Sequence, residues 1–449
     1  MATALGACSA ASAPAGTVRW DVTNLSADGK PLRGQPVDLI GVGDSYVGLV
    51  KSGTENWFVT SNDGRSWRAF QPQGLPSVVL DTPVAPGGLN AISHVLFTDG
   101  DAVYLRVEAG SSFDRLGSVA LYVSNADARA WKRVRLPAAA GKGAFPIAAT
   151  SARGRRYLAG AVYDPRYGQS YLEAAVWVAD GNGAWRSIDA PAFAGNGNQT
   201  IFSLAVLGKT VVAGGGDGAL LHTENCCYYP YGIGIWRSTD RGDVWKRANV
   251  NDKPYPANWE AVVVGFRSAR GTLRADVAGF PRRIVQSRDL GATWTVATKP
   301  PTEKGVIFPR VGHITPVDHH FVATTEPAAE CIDCTRGSIA LSDNGTRWHD
   351  VTPKFPCGIE GRSSYGFVSS PIVIGKSVAV LGACGDQLSP FNETLLAVSS
   401  DSGVHWEIRR HRSPTGGPIP AVAAHGQIVT LAAPDADGHG GQIRAVVAH

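Results

Sequence analysis

The sequence predicts an all-β chain folded as a single propeller of four-stranded antiparallel blades. Three observations predict it: a turn motif recurring along most of the chain, short β-rich runs between its copies, and a composition suited to tight turns. The motif weighs most, because internal repetition decides fold class before any local pattern does.

The clearest copy is Ser287-Arg288-Asp289-Leu290-Gly291-Ala292-Thr293-Trp294. It recurs with Ser238, Asp240, Gly242 and Trp245, and again with Ser399, Asp401, Gly403 and Trp406. Two copies are one residue shorter: Ser61-x-Asp63-Gly64-x-x-Trp67 and Ser342-x-Asn344-Gly345-x-x-Trp348. Two are degenerate. The copy from Ser124 to Trp131 puts Ala126 and Ala128 in the Asp and Gly places, and the copy with Asp180 and Trp185 has Val178 where Ser is expected. These residue types suit a hairpin. An Asp or Asn oxygen accepts from backbone N–H groups a few residues on, Gly supplies a positive φ, and Trp starts the next strand with a large buried ring. The motif Asp is thus expected to staple a turn, not to catalyse or bind calcium.

The runs between copies alternate strand and turn. Val37–Val42, Ser45–Val50 and Trp57–Thr60 precede the first copy, and Arg65–Phe70 carries the strand after it. Four such runs per repeat make one antiparallel blade. Seven copies count seven blades. Three further runs follow Trp406, at Pro420–Ala424, Ile428–Ala432 and Gln442–Val447, and Val18–Val22 stands alone at the N-terminus with Trp20. Joining the two ends predicts an eighth blade that leaves no open edge. Seven blades with a terminal hairpin is the alternative.

The motif resembles the Asp-box (BNR) repeat of sialidases, sortilin-type receptors and photosystem assembly-factor-like propellers. The resemblance spans most of the chain, from Ser61 to Trp406. It implies the fold and leaves function open, since such boxes occur on unrelated activities.

Composition agrees. The 449 residues include 53 Gly and 28 Pro, only 18 % are charged, and the net charge is +4. With no Lys/Arg block, no nucleic-acid partner is expected. No phosphate-cradling or dinucleotide motif is found, so no cofactor is expected. No apolar run is long enough to span a membrane. Leu5-Gly6-Ala7-Cys8 resembles a bacterial lipobox, and an Ala/Ser stretch follows it. Residues 1–16 therefore read as a flexible tether or signal remnant, or as an ordinary Ala/Ser tail, and 17–449 as the propeller. Membrane contact is expected only through lipidation of Cys8, and the chain is expected to be a monomer.

The other six cysteines, Cys226, Cys227, Cys331, Cys334, Cys357 and Cys384, form an even set in loop-like stretches, as disulfides of an extracellular or cell-surface protein do. Cys357 and Cys384 share the top of the seventh blade and are paired here. Cys331 with Cys334, and Cys226 with Cys227, could each close a small loop. A soft-metal site from those four is the competing reading, and no metal is expected.

Loops joining second to third strands, and one blade to the next, emerge opposite the motif turns. Ligands are expected there. Tyr228, Tyr229, Tyr231 and Phe391 offer aromatic area and Arg362 a charge, which suits a glycan, peptide or protein partner. A sialidase-like glycoside hydrolase is the alternative. Its candidate groups are Glu260 and Arg310 at inner-strand starts, with Tyr365, Glu224 and Asp386 in loops. Against it, Val37-Asp38-Leu39 stands where sialidases carry an Arg-Ile-Pro motif. Asp318-His319-His320 reads as a solvated turn.

Overall fold

The computed structural model describes residues 20–53, 55–76, 92–109, 118–138, 142–163, 172–181, 183–194, 198–218, 232–252, 261–269, 271–279, 282–298, 310–326, 338–353, 364–367, 371–374, 376–385, 393–412, 421–424, 427–432 and 444–448. Among them, seven blades are each built from consecutive antiparallel strands. Blade 1 comprises Gln35–Val42, Ser45–Ser52, Glu55–Ser61 and Arg68–Phe70, from the inner strand outward. Blade 2 comprises Ile92–Thr98, Ala102–Ala109, Ser118–Asn125 and Lys132–Val134; blade 3 comprises Gly143–Ala152, Arg155–Tyr163, Leu172–Asp180 and Arg186–Ile188. In blade 4 the strands are Asn198–Leu207, Thr210–Gly218, Ile233–Ser238 and Lys246–Arg247. Blade 5 has Ala261–Ala269, Thr272–Gly279, Arg283–Ser287 and Thr293–Val296, with Asn249–Asn251 added parallel to the last. Blade 6 has Arg310–Val317, His320–Glu326, Ile339–Ser342 and His349–Asp350. In blade 7 the inner position is shared by Ser364–Phe367 and Ile372–Ile374, which both pair with Ser377–Gly385 ahead of Glu393–Ser399 and Glu407–Arg412.

Seven blades of consecutive strands is the count held as the alternative, where eight were favoured. What was expected as an eighth blade is a composite sheet. Ala421–Ala424, Gln427–Ala432 and Arg444–Ala448 supply three strands, and Trp20–Asn24 adds the fourth in register Trp20↔Ala448 to Asn24↔Arg444. It is also more than the terminal hairpin of the alternative. No turn motif closes it, because its outer strand arrives from the other end of the chain.

The core is divided into clusters that each lie between neighbouring sheets. Val47, Leu49 and Phe58 of blade 1 meet Leu105 and Trp131 of blade 2. Tyr157 and Val176 of blade 3 meet Ile201 and Trp245 of blade 4. The composite sheet joins the same scheme: Val429, Leu431 and Ala445 pack on Leu39, Tyr46 and Val59 of blade 1, and Ile428 packs with Leu381 and Leu396 of blade 7. Two third-strand tryptophans fix the connections between blades. Trp177 Nε1 donates to Pro137 O and Trp236 Nε1 to Ala192 O, both at 2.8 Å.

The motif turns close as their residues predict. Asp289 Oδ1 accepts from Ser287 Oγ at 2.7 Å and from Thr293 N at 2.9 Å, Gly291 N donates to Ser287 Oγ at 2.8 Å, and Trp294 Nε1 donates to Gly291 O at 3.0 Å. The turns around Asp240 and Asp401 repeat this pattern. In these longer turns a second residue also takes positive φ, namely Arg241, Leu290 and Ser402, whereas the shorter ones need only Gly64 or Gly345. Backbone bonds from Ser66 foremost hold the Asp63 carboxyl down at about 2.

One motif assignment is corrected. In blade 2 the Asp place is filled by Asp127, whose Oδ1 accepts from Arg129 N at 3.0 Å, just as Asp63 accepts from Arg65 N at 2.8 Å. Ala128 has φ 54°, and Trp131 Nε1 donates to its carbonyl at 2.7 Å. The turn is therefore a short one with Ala in the Gly place. It is not a long one with Ala126 in the Asp place.

Inner strands carry a second repeated device. In five blades the register slips by one residue near the entry of the inner strand, between Pro36/Asp38, Pro146/Ala148, Ile201/Ser203, Val263/Gly265 and Val311/His313. A bulge bends a strand and raises its twist, which suits strands crowding round one axis. Pro is tolerated there because no ladder N–H is lost. The partner strand must come close, so a Cβ on Gly160 would lie 2.0 Å from Phe145 O, and one on Gly215 would lie 1.8 Å from Thr200 O. Gly215→Ala is accordingly expected to destabilise the protein by about 2–4 kcal/mol. Gly265→Ala, whose added methyl meets nothing within 4 Å, is expected to leave it nearly unchanged. Equilibrium denaturation of the two variants checks the contrast.

Candidate functional site

The candidate site is the face opposite the motif turns, where inner strands begin and second strands end. Asp38 shows what the inner-strand bulge does there. Its Oδ1 accepts from Leu39 N and its Oδ2 from Leu96 N of blade 2, both at 2.8 Å, so one carboxylate ties two inner strands. Burial raises its pKa against the pull of those two amides. The position compared with the sialidase Arg-Ile-Pro motif is therefore an acid spent on backbone, not a cation free to clamp a carboxylate. The bulge of blade 3 is served from the neighbouring blade. Arg106 Nη1 donates to Pro146 O at 2.8 Å, its guanidinium lies 4.3 Å from the centroid of Phe145, and Glu108 Oε1 accepts from its Nε at 2.8 Å.

On blades 4 and 5 polar pairs brace the roots of two connections. Gln199 Nε2 donates to Asp217 Oδ1 at 2.6 Å, and Arg247 from the outer strand also pairs with Asp217. Asp217 ends the braced part of the second strand, just before the chain that carries Cys226, Cys227 and the tyrosines. Asp252 leaves blade 4 and binds the fully buried Arg283, with Nε donating to Oδ1 at 2.7 Å and Nη2 to the other oxygen. Bidentate pairing of this kind fixes direction as well as charge.

Asp276 differs from these acids. It lies on the second strand of blade 5 between Gly265 and Ile284, and its Oδ1 is sealed from solvent with no hydrogen-bond partner. The buried Leu273, Ala275 and Val277 of the same strand pack toward blade 4. Strand alternation therefore turns Asp276 toward blade 6. Burial pushes its carboxyl up to about 6, against the pull of Arg282 and Arg267. Buried carboxyls shifted this way are enriched at functional sites, although structural ion-pair networks produce them too.

Of the expected site residues, Arg310 opens the inner strand of blade 6. Tyr365, expected in a loop, instead lies within the inner strand of blade 7, paired with Cys384, which pairs in turn with Glu393. The strand was missed because Ser364–Phe367 is only four residues long. Arg310 and Tyr365 thus stand on inner strands of adjacent blades. Glu260 lies outside the described residues, one position before the inner strand of blade 5. Glu224, Asp386, Tyr228, Tyr229, Tyr231, Arg362, Phe391, Cys226, Cys227, Cys331, Cys334, Cys357 and Cys8 also lie outside them. Asp38, Asp217, Asp252, Asp276 and Arg283 were not singled out as site residues. The one available signal was an acid or Arg at a strand end bordering a long insertion. On the motif-turn face, His320 Nδ1 and Asp343 Oδ1 are 2.7 Å apart and His319 is exposed, as a solvated turn requires. No group of three or more metal-binding side chains occurs among the described residues. No helix among them is long and apolar enough to cross a membrane.

Asp276 has a folded-state pKa above its unfolded value, so its ionised form is penalised only in the folded protein. The penalty is absent below about pH 4 and complete above about pH 6, where it reaches roughly 3 kcal/mol. Stability should fall across that window. Asp276→Asn is expected to raise stability at pH 7 by about 1–3 kcal/mol and to match the parent near pH 4. Urea unfolding at the two pH values tests this.

No protein-family model matches the chain, and no curated protein matches it in sequence. Solved structures do match in fold. A prolyl endopeptidase superposes with a TM-score of 0.50 at 8 % identity, over 89 % of this chain and 55 % of its own, so this chain spans about half the length of that enzyme. YCF48 bound to a D1 peptide gives 0.44 at 13 % identity, over 82 % of this chain and 96 % of its own. The Trypanosoma rangeli sialidase in complex with sialic acid gives 0.39 at 12 % identity, over 85 % and 57 %. At these identities the likeness speaks to fold alone: the chain is a β-propeller.

Proposed function

We propose that this chain is an Asp-box propeller that works outside the cytoplasm as a binding scaffold and presents the loop face opposite the motif turns to a glycan or protein ligand. One observation carries the reading: the charged groups at the loop roots are spent on bracing. Asp217 is held by Gln199 and Arg247, Asp252 by Arg283, and Asp38 by two backbone amides. Acids committed in this way hold loops in place and do not shuttle protons. The loops they root carry Tyr228, Tyr229 and Tyr231, which suit stacking on a sugar ring or packing against a partner. Disulfides among the loop cysteines, and a lipid anchor at Cys8, would fit the same location.

A glycan-array screen run beside a panel of chromogenic glycosides tests this. Binding without turnover, weakened about tenfold or more by Tyr228→Ala with Tyr231→Ala, is expected. Hydrolysis that disappears in Glu260→Gln would replace the scaffold with a glycoside hydrolase.

A further inference from the structure

The seam between blades 2 and 3 carries charge that the loop face does not explain. A cleft of about 630 Å³ opens on the motif-turn side and is lined by Lys132 of blade 2 and by Arg153, Arg155 and Arg156 of blade 3. A second hollow of about 440 Å³ lies along the same outer strand of blade 2, lined by Arg133 and Arg135 and by Ala144 and Pro146 of blade 3. Lys132 and Arg133 are consecutive residues, so the two hollows border one strand.

These cations are not equivalent. Arg155 is neutralised: its Nε donates to Asp180 Oδ1 at 2.6 Å, and its Nη1 reaches both oxygens of Asp243 at 3.1 Å and Arg241 O at 2.8 Å. Arg156 is spent within the seam: its guanidinium lies 5.3 Å from the centroid of Trp185 and hydrogen-bonds the buried Tyr104 hydroxyl of blade 2. Lys132, Arg133, Arg135 and Arg153 are exposed and have no acidic partner among the described residues. Asp101 is the acid of the lining, and it already accepts from Ser151 Oγ at 2.9 Å.

Basic residues on an exposed outer strand have an ordinary explanation, protection of a sheet edge from pairing with other chains. That accounts for Lys132, Arg133 and Arg135. It does not account for Arg153, which sits on the turn between the first and second strands of blade 3 with φ 52°. Arg153 lines the same cleft as Lys132. The cleft also coincides with the degenerate motif turns: that of blade 2 forms one wall through Ser124, Asn125 and Ala130, and that of blade 3 contributes Gly181.

We propose that this cleft binds a compact anion bearing carboxylate or phosphate groups, with Lys132 and Arg153 as its direct contacts. The volume suits a small molecule or the end of an acidic chain, and paired cations of unlike reach hold such groups by charge-assisted hydrogen bonds. The site is on the opposite face from the loops and is independent of what they bind.

Calorimetric titration of the full chain with citrate and with inorganic phosphate at low salt tests the site. Each is compared with Lys132→Ala/Arg153→Ala and with Arg33→Ala/Arg68→Ala, a control that removes the same charge from exposed positions elsewhere. Thermal unfolding confirms that both variants remain folded. Binding of at least one anion is expected, weakened about tenfold or more in the first variant and within about twofold of the parent in the control. The preferred anion distinguishes a carboxylate ligand from a phosphate one. No binding of either anion up to about millimolar concentration, or equal losses in both variants, overturns the site.

Discussion

Every blade of this protein buries its side chains against a neighbouring sheet and not within itself. A four-stranded sheet has two faces and no interior, so blade 1 needs Trp131 of blade 2 on one side and Leu431 of the composite sheet on the other. Closure is therefore a condition of stability. It falls on the strand with the least local support, Trp20–Asn24, which is joined to Arg444–Ala448 across nearly the whole chain length. Arg65 Nε adds a 2.8 Å pair to Asp21, so the first motif turn also holds the closing strand. Long-range closure of this kind contributes little until the ring is nearly complete.

Closure also separates the two faces chemically. On one face the polar atoms of the motif turns are consumed by local bonds, and the Trp rings fill the gaps between blades. On the other, bulged inner strands crowd round the axis, and their exposed backbone groups are satisfied from outside. Asp38 supplies an acceptor to Leu39 N, and Arg106 supplies a donor to Pro146 O. Asp38, Arg106, Asp217 and Asp252 bridge blades or anchor connections on that face, whereas Asp276 keeps a buried oxygen without a partner.

Much of this was legible in the sequence, and the parts that were not share a cause. The Ser-x-Asp-x-Gly-x-x-Trp spacing shows the hairpins because each bond is local: Ser287, Asp289, Gly291 and Trp294 contact one another within a single turn. The isolated Trp20 run pointed to an outer strand, and the structure pairs it as one. The count of blades was less secure, since consecutive runs and composite sheets look alike in a linear sequence. Bulges were invisible, because a slip between Ile201 and Ser203 depends on the glycines opposite it, Gly214 and Gly215, and on crowding round an axis. Tyr365 was misplaced because its strand is short and bounded by loop-like residues. The braces of the loop face escaped notice because Asp217–Arg247 and Asp252–Arg283 link residues about 30 positions apart, beyond any local pattern.

The degenerate turns show what happens when the local device decays. In blade 2 Asp127 keeps the turn, and Ala128 takes a positive φ with its methyl buried beside Phe58 and Trp131. Blade 3 departs further. With Val178 in the Ser place, Asp180 has no hydroxyl to receive and turns instead to Arg155, whose other end is bound by Arg241 O and Asp243 of the blade 4 turn. Hydrogen bonding to Asp180, reinforced by Asp243, stabilises the charged form of Arg155. A staple within one hairpin has been exchanged for a strut between two blades. Trp185 follows the same logic: among the described residues its indole has no bond to a turn carbonyl, and its ring lies against Arg156. The blade 2–3 seam closes instead on Tyr104, Leu121, Leu158, Ala175 and Trp177, with Trp185 partly buried beside them, whereas Trp131, Trp245 and Trp294 are buried in their seams and locked by their own turns. At the turn end of that seam, where Trp185 is only partly buried, the cleft lined by Lys132 and Arg153 opens.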